Sequence, residues 1–306
     1  MSTREILGTD KEARPWHGVL VANPLALDAE LNVDFDRYGE HIAWLAASGC
    51  DGITPNGSLG EYQTLTSEER ERVVTVAMEA APEGFEVIPA VSAYGVAEAV
   101  RWAAQAAEAG AKAVMALPPN SYRASEASVI DHFRQIAAVG IPVIAYNNPF
   151  DTKVDLTPQL LGRLHGEGLI VAVKEFAGDP RRAYATRELA PALDVLIGSD
   201  DTVLEIALAG GVGWISGYPS AFPRSCIELY RASITGELDV AVPLYRALHA
   251  LLRWDSRTEF VQAIKLSMDI VGRDGGPCRA PRVPLTEEQE AEVRRLTEEA
   301  VAAGLS

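Results

Sequence analysis

Leu169-Ile-Val-Ala-Val-Lys-Glu-Phe-Ala-Gly178 is a short, uninterrupted apolar run that closes on a lysine. Such a run is a strand buried on both faces, the kind found inside a parallel sheet. Lys174 at its end is carried to the rim of the sheet, where loss of water disfavours the ammonium form. A neutral amine can attack a ketone. A lone lysine closing a strand would ordinarily be a surface residue, and the rest of the chain argues otherwise.

Similar runs recur along the chain. They span Gly18 to Ala22, Gly52 to Pro55, Glu86 to Val91, Ala113 to Leu117, Pro142 to Tyr146, Ile170 to Lys174, Val195 to Gly198 and Gly213 to Ser216. Between them lie segments with apolar residues three and four apart, including Phe35 to Ser48, Ser67 to Ala80, Ala97 to Ala109, Glu126 to Ala138 and Pro158 to His165. Thr66-Ser-Glu-Glu69 and Thr286-Glu-Glu288 offer hydroxyl caps followed by carboxylates. Eight strand-helix units predict an α/β fold, a (β/α)8 TIM barrel over residues 16–221. No Gly-x-Gly-x-x-Gly follows the first strand, which disfavours a doubly wound dinucleotide-binding sheet. An appended C-terminal helical region is expected over 222–306, with helices at Arg224 to Ile234, Leu238 to Arg253, Glu259 to Val271 and Glu287 to Ala302. Residues 1–15 read as a polar tail.

Composition removes several functions. A formal charge of −16 without a basic cluster does not suit a nucleic-acid surface. No apolar run approaches a membrane span. Three widely spaced cysteines, Cys50, Cys226 and Cys278, fit a reducing compartment, so a cytoplasmic location is expected. The five histidines are scattered without ligand spacing, so neither a metal nor another cofactor is expected. The five tryptophans are too dispersed for a stacking platform and are expected in the core.

In a barrel of this kind the reactive groups sit at the carboxyl ends of the strands. There the chain places Asn56-Gly-Ser-Leu-Gly-Glu61 after strand two, Tyr146-Asn-Asn-Pro149 at the end of strand five, Lys174 at the end of strand six and Ser216-Gly217 at the end of strand eight. Strands five and six are neighbours, so the Tyr146 phenol should stand beside the Lys174 amine and move protons for a carbinolamine. Ser58 lies in a glycine-flanked turn whose hydroxyl and backbone N–H groups can face a carboxylate, with Gly57 and Leu59 forming the same wall. Gly210-Gly-Val-Gly213 has no Lys or Arg nearby and reads as a turn, not a phosphate cradle.

Gly57-Ser-Leu-Gly-Glu61, Tyr146-Asn-Asn-Pro149, Val173-Lys-Glu175, Gly198-Ser-Asp200 and Gly210-Gly-Val-Gly213 together resemble the dihydrodipicolinate synthase and N-acetylneuraminate lyase family, over roughly Gly18 to Leu285. The resemblance implies a barrel enzyme that joins a lysine to pyruvate or another 2-oxo acid without a metal, usually as a homotetramer built from dimers. It implies Lys174 as nucleophile, Tyr146 as acid-base and Ser58 as a proton relay, with the adjoining turn holding the oxo-acid carboxylate. It also implies that Asp200, Asp201 and Ser216 stand where sugar-acid lyases hold substrate hydroxyls; Asp200 or Asp201 could equally cap the helix from Thr202 to Ala209.

The chain departs from the family in three places. Where the synthases carry an arginine for the second substrate's carboxylate, this chain has Asp151, which would repel a carboxylate about 4 Å away by roughly 1 to 4 kcal/mol. The synthases' second hydroxyl is replaced by Leu59. Their interface tyrosine aligns near Ser121, with Tyr122 one place off. The expected function is therefore a Schiff-base-forming lyase, an aldolase or dehydratase, acting on pyruvate or a 2-keto-3-deoxy acid with a hydroxylated or neutral distal part. The alternatives are dihydrodipicolinate synthesis, or a hydratase-aldolase of an apolar 2-oxo acid favoured by Leu59 and Phe150. A non-catalytic ligand-binding barrel fits less well with Ser58, Tyr146 and Lys174 present together.

Overall fold

The structure, a computed structural model, describes residues 14–306; most of the expected N-terminal tail lies outside the described residues. Eight parallel strands, β1 (Gly18–Ala22), β2 (Gly52–Thr54), β3 (Glu86–Val87), β4 (Val114–Ala116), β5 (Val143–Asn147), β6 (Ala172–Glu175), β7 (Asp194–Ile197) and β8 (Gly213–Ser216), pair in the order β3-β2-β1-β8-β7-β6-β5-β4. The ring closes between its two ends through a parallel bridge of Ala90 with Met115, where Met115 N–H donates to Pro89 O at 3.0 Å and Val91 N–H to Met115 O at 2.8 Å. The expected third strand ran to Val91. Regular pairing stops earlier, and Pro89, which has no N–H, interrupts the ladder at that point.

Helices α1 (Phe35–Ala47), α2 (Ser67–Ala80), α3 (Val96–Glu108), α4 (Glu126–Ala137), α5 (Pro158–Gly166), α6 (Arg181–Leu189) and α7 (Val203–Leu208) follow successive strands. An eighth helix, α8 (Pro223–Thr235), packs on α7 and β1. From sequence it was counted with the C-terminal region, but its contacts are those of the last helix of a barrel's outer ring. Three more helices follow, α9 (Leu238–Leu252), α10 (Phe260–Ile270) and α11 (Glu287–Ala302). The expected caps are present, with reciprocal bonds between Thr66 and Glu69 and between Thr286 and Gln289.

Two apolar layers hold the fold. Leu20, Ile88, Met115, Ile144, Leu196 and Ile215 fill the barrel interior, and a larger layer lies between strands and helices. Trp16 enters the interior layer, with its indole N–H bonded to Asp194 Oδ2 at 2.7 Å. His17 Nε2 and Arg14 Nη1 reach the same carboxylate at 2.8 and 2.7 Å, tying the residues before β1 to the start of β7. Trp16, Trp102, Trp214 and Trp254 are buried, as expected of core tryptophans.

The appended helices are fastened to the barrel by a buried ion pair. Lys265 on α10, 1% exposed, donates to Glu61 Oε1 at 2.9 Å and to Pro277 O at 2.6 Å, and Glu61 is itself 0% exposed. The second oxygen of Glu61 accepts from Arg279 N–H at 2.9 Å, while the Arg279 guanidinium grips both oxygens of Glu69 at 2.6 and 2.8 Å. Removing one member of a buried pair leaves the other charged and unpaired, which costs about 3 to 5 kcal/mol. Lys265→Met is therefore expected to lower unfolding stability by about that amount, and the double variant Glu61→Gln/Lys265→Met by less than the sum of its two single changes. Denaturant titration of the four proteins checks this.

Candidate active site

The carboxyl ends of the strands open into a cleft of about 560 Å³. Lys174, third residue of β6, lies in register with Tyr146 on β5. Its Nζ sits 4.5 Å from the centre of the Tyr146 ring and 5.9 Å from that of Phe176, and the two rings meet edge to face at 6.2 Å. The side chain is buried and forms no ion pair among the described residues. Burial therefore lowers the pKa of the amine, and the negative charges of Asp255 and Asp200 oppose that only in part. Gly198, at the end of β7, makes room for it: a Cβ there would stand 2.5 Å from Glu175 O and 3.0 Å from Lys174 Cγ.

Glu175, the next residue, is buried and serves the scaffold. Its carboxylate accepts from Asn147 Nδ2 and Ala177 N–H, each at 2.8 Å, and from Arg182 Nε at 3.1 Å, joining β5, β6 and α6. The Tyr146 phenol is held well above its ordinary pKa by burial first and by nearby carboxylates second, so it stands protonated. Asn148 Nδ2 donates to the phenol oxygen at 3.3 Å and to Asp151 Oδ2 at 2.8 Å.

Facing this pair is the turn after β2. Asn56 and Glu61 both adopt left-handed backbone, with φ of 58° and 49°, and bracket Gly57, Ser58, Leu59 and Gly60. Asn56 is anchored by a bond from its Nδ2 to Arg70 O at 3.0 Å, and Glu61 by Lys265 and Arg279. Leu59 packs toward the end of β8, where a Cβ on Gly217 would meet Leu59 Cδ2 at 2.7 Å and Ile264 Cδ1 at 2.6 Å. The turn is thus immobilised from both sides, with Ser58 at the cleft wall.

Of the residues singled out from sequence, Lys174, Tyr146, Ser58, Gly57, Leu59 and Asp151 line the cleft together. Asp200, Asp201, Ser216 and Tyr122 do not. Asp200 is fully buried and accepts from Trp214 Nε1 at 2.9 Å and Ser216 Oγ at 2.8 Å, so it and Ser216 satisfy one another. Asp201 accepts from Ser256 Oγ at 3.3 Å, and its carbonyl from the Tyr245 hydroxyl. Tyr122 is 58% exposed, outside the cleft.

One ionisable group in the cleft has no motif in the sequence. Asp255 arrives on a 3-10 turn, Arg253–Ser256, between α9 and α10. Burial raises its carboxyl to about 7, against the lowering effect of the Lys174 charge and of a backbone hydrogen bond from Asp200. Its only trace in the sequence is the break between two helical patterns. Among the described residues no three His, Cys, Asp or Glu side chains gather as metal ligands would, and no helix is long and apolar enough to cross a membrane.

Comparison with known proteins gives a consistent result. The profile of the dihydrodipicolinate synthetase family matches residues 15–300. A 4-hydroxy-tetrahydrodipicolinate synthase of Methanospirillum hungatei is 33% identical over 269 residues, covering 87% of this chain and 91% of its own. That of Methanothrix thermoacetophila is 30% identical, covering 91% and 95%. Among solved structures, the dihydrodipicolinate synthase of Aquifex aeolicus superposes with a TM-score of 0.88 at 28% identity, over 92% of this chain and 97% of its own. A prophage protein of the dihydrodipicolinic acid synthase family from Escherichia coli K12, solved with pyruvate, gives 0.87 at 26%, over 94% and 99%. The chain belongs to the dihydrodipicolinate synthetase family, whose enzymes are lyases of the class I aldolase type.

Proposed function

We propose that this lyase forms an imine between Lys174 and the ketone of pyruvate or a 2-keto-3-deoxy acid. The observation that carries the reading is a desolvated lysine amine in register with a buried, protonated tyrosine, in one cleft with the turn of Gly57, Ser58 and Leu59. Dihydrodipicolinate synthesis, the activity named for the relatives, is the less favoured variant, because Asp151 stands at the cleft where a cation would hold the second substrate's carboxylate. An apolar 2-oxo acid is the other variant, supported by Phe150, Phe176 and Phe260 in the lining.

The chemistry follows from the protonation states. The neutral amine adds to C2 of the oxo acid, and Tyr146 gives its proton to the departing hydroxyl, so water leaves and an iminium forms. The phenolate then takes the C4 hydroxyl proton, the C3–C4 bond breaks, and its electron pair flows to nitrogen, releasing an aldehyde and an enamine. Tyr146 protonates C3 of the enamine, and water hydrolyses the iminium to pyruvate and free amine. Asp255 supplies negative charge near the iminium and tunes the amine without touching the carbon that reacts.

Lys174→Ala is expected to abolish both turnover and the borohydride-trapped pyruvate adduct, and Tyr146→Phe to slow turnover about 10²- to 10⁴-fold. Mass spectrometry of the peptide containing residue 174 reads the adduct, and an undiminished adduct in Lys174→Ala would remove the basis of the proposal. The pH dependence has a definite sign. Imine formation needs the free amine, so its rate rises with pH through the lowered Lys174 pKa. Because the Asp255 charge favours the ammonium, Asp255→Asn should move that rising limb to lower pH; a limb that stays in place or moves upward contradicts the role given to Asp255.

A further inference from the structure

Acidic residues outnumber basic ones 43 to 27 in this chain. In the lining of the cleft the ratio is reversed: Lys153, Lys174, Arg257 and Arg282 face only Asp151 and Asp255. Lys174 is the buried amine already described. The other three cations belong to the mouth, and two of them come from the appended helical region.

Two of the three, Arg282 and Lys153, are not neutralised there as surface cations of an acidic protein usually are. Arg282 is half-buried, with its guanidinium 5.1 Å over the Phe260 ring and a single 3.4 Å contact from Nη1 to Thr258 O. Lys153 closes the helical turn Pro149–Thr152 in left-handed conformation and bonds only to the Phe150 carbonyl. Neither has a carboxylate partner among the described residues. Arg257 lies 4.0 Å over Trp254 and touches Glu292 at 3.4 Å. The aromatic faces orient the guanidinium groups in advance, which reduces the ordering cost of binding an anion. A guanidinium offers the planar fork that a carboxylate matches. Asp151 accepts from Asn148 and forms no ion pair with these cations among the described residues, so its single negative charge is outnumbered at the cleft.

We propose that the substrate carries a second carboxylate on its distal part, held at the cleft mouth by Arg282 and Lys153 with Arg257 in support. This rests on the Schiff-base reading, in which the first carboxylate is served by the turn at Gly57 to Leu59. It replaces the expectation of a hydroxylated or neutral distal part, which leaned on Asp151, Asp200 and Asp201; Asp200 and Asp201 do not line the cleft, and Asp151, which does, is outnumbered there by Lys153, Arg257 and Arg282.

The test reads the imine and needs no knowledge of the natural substrate. Borohydride trapping at Lys174 is titrated with 2-oxoglutarate and with 2-oxoadipate, each against an analogue in which an isopropyl group replaces the distal carboxylate. Pyruvate, which has no distal group, is the reference within each protein. The intact protein should half-saturate at least about tenfold lower with one of the diacids than with its isostere, and Arg282→Gln and Lys153→Gln should each erase most of that preference, as expected for a charge-assisted contact at a partly wet site. No preference in the intact protein overturns the proposal, as does a preference that survives in both variants. It is likewise overturned if Arg282→Gln weakens pyruvate trapping as much as diacid trapping, since the guanidinium would then hold the first carboxylate. Failure of pyruvate itself to be trapped would instead end the underlying Schiff-base reading.

Discussion

The buried contact between Glu61 and Lys265 is the constraint on which the cleft depends. A carboxylate and an ammonium that are both withdrawn from water persist because each is hydrogen bonded twice, Glu61 by Lys265 and Arg279, Lys265 by Glu61 and the Pro277 carbonyl. Glu61 is also the last residue of the turn that carries Ser58 and Leu59, and it sits in left-handed backbone. The pair therefore joins two segments about 200 residues apart in sequence and fixes the wall of the cleft opposite Lys174. Without it, the turn and the appended helices would be held by the Arg279–Glu69 and Asn56–Arg70 contacts and by apolar packing around Gly217, Leu59 and Ile264.

Lys174 is poised by opposing effects of unequal size. Loss of water favours the free amine, and the carboxylates of Asp255 and Asp200 favour the ammonium, with the first effect the larger. Asp200 is itself raised well above its usual range by burial and by Asp255, and is quieted by bonds from Trp214 and Ser216. The result is a set of groups around Lys174 in which adding or removing one proton changes the others, a suitable setting for the imine chemistry proposed for it.

Much of the barrel was readable because its signal is local. Short apolar runs mark strands buried on both faces, and their order puts Tyr146 beside Lys174 without any knowledge of loops. The third strand was read too long because Pro89 and the bridge at Ala90 depend on pairing with a distant partner. Asp200 and Ser216 were expected to meet substrate, but a side chain's partner across two strands leaves no mark in a single sequence. Asp255, Arg257 and Arg282 escaped notice for the same reason at larger scale: they belong to helices and turns with no motif, and only the folding of residues beyond 236 over the barrel mouth brings them to Lys174. Helix α6 leaves the faintest mark in the sequence because its pattern is weakly amphipathic.

The division of the cleft between strand ends and the later helices has an evolutionary corollary. The proposed covalent apparatus is built from β-strands whose positions are locked by the ring, while Arg257 and Arg282 at the entrance ride on segments fastened to the barrel through Lys265 and Arg279. Duplicated genes could diversify the second set by ordinary surface drift and leave the first untouched. Paralogues of this chain would then share the barrel apparatus and differ in what they admit to it, with the exposed positions between 253 and 282, apart from Lys265 and Arg279, as the places where such divergence should concentrate.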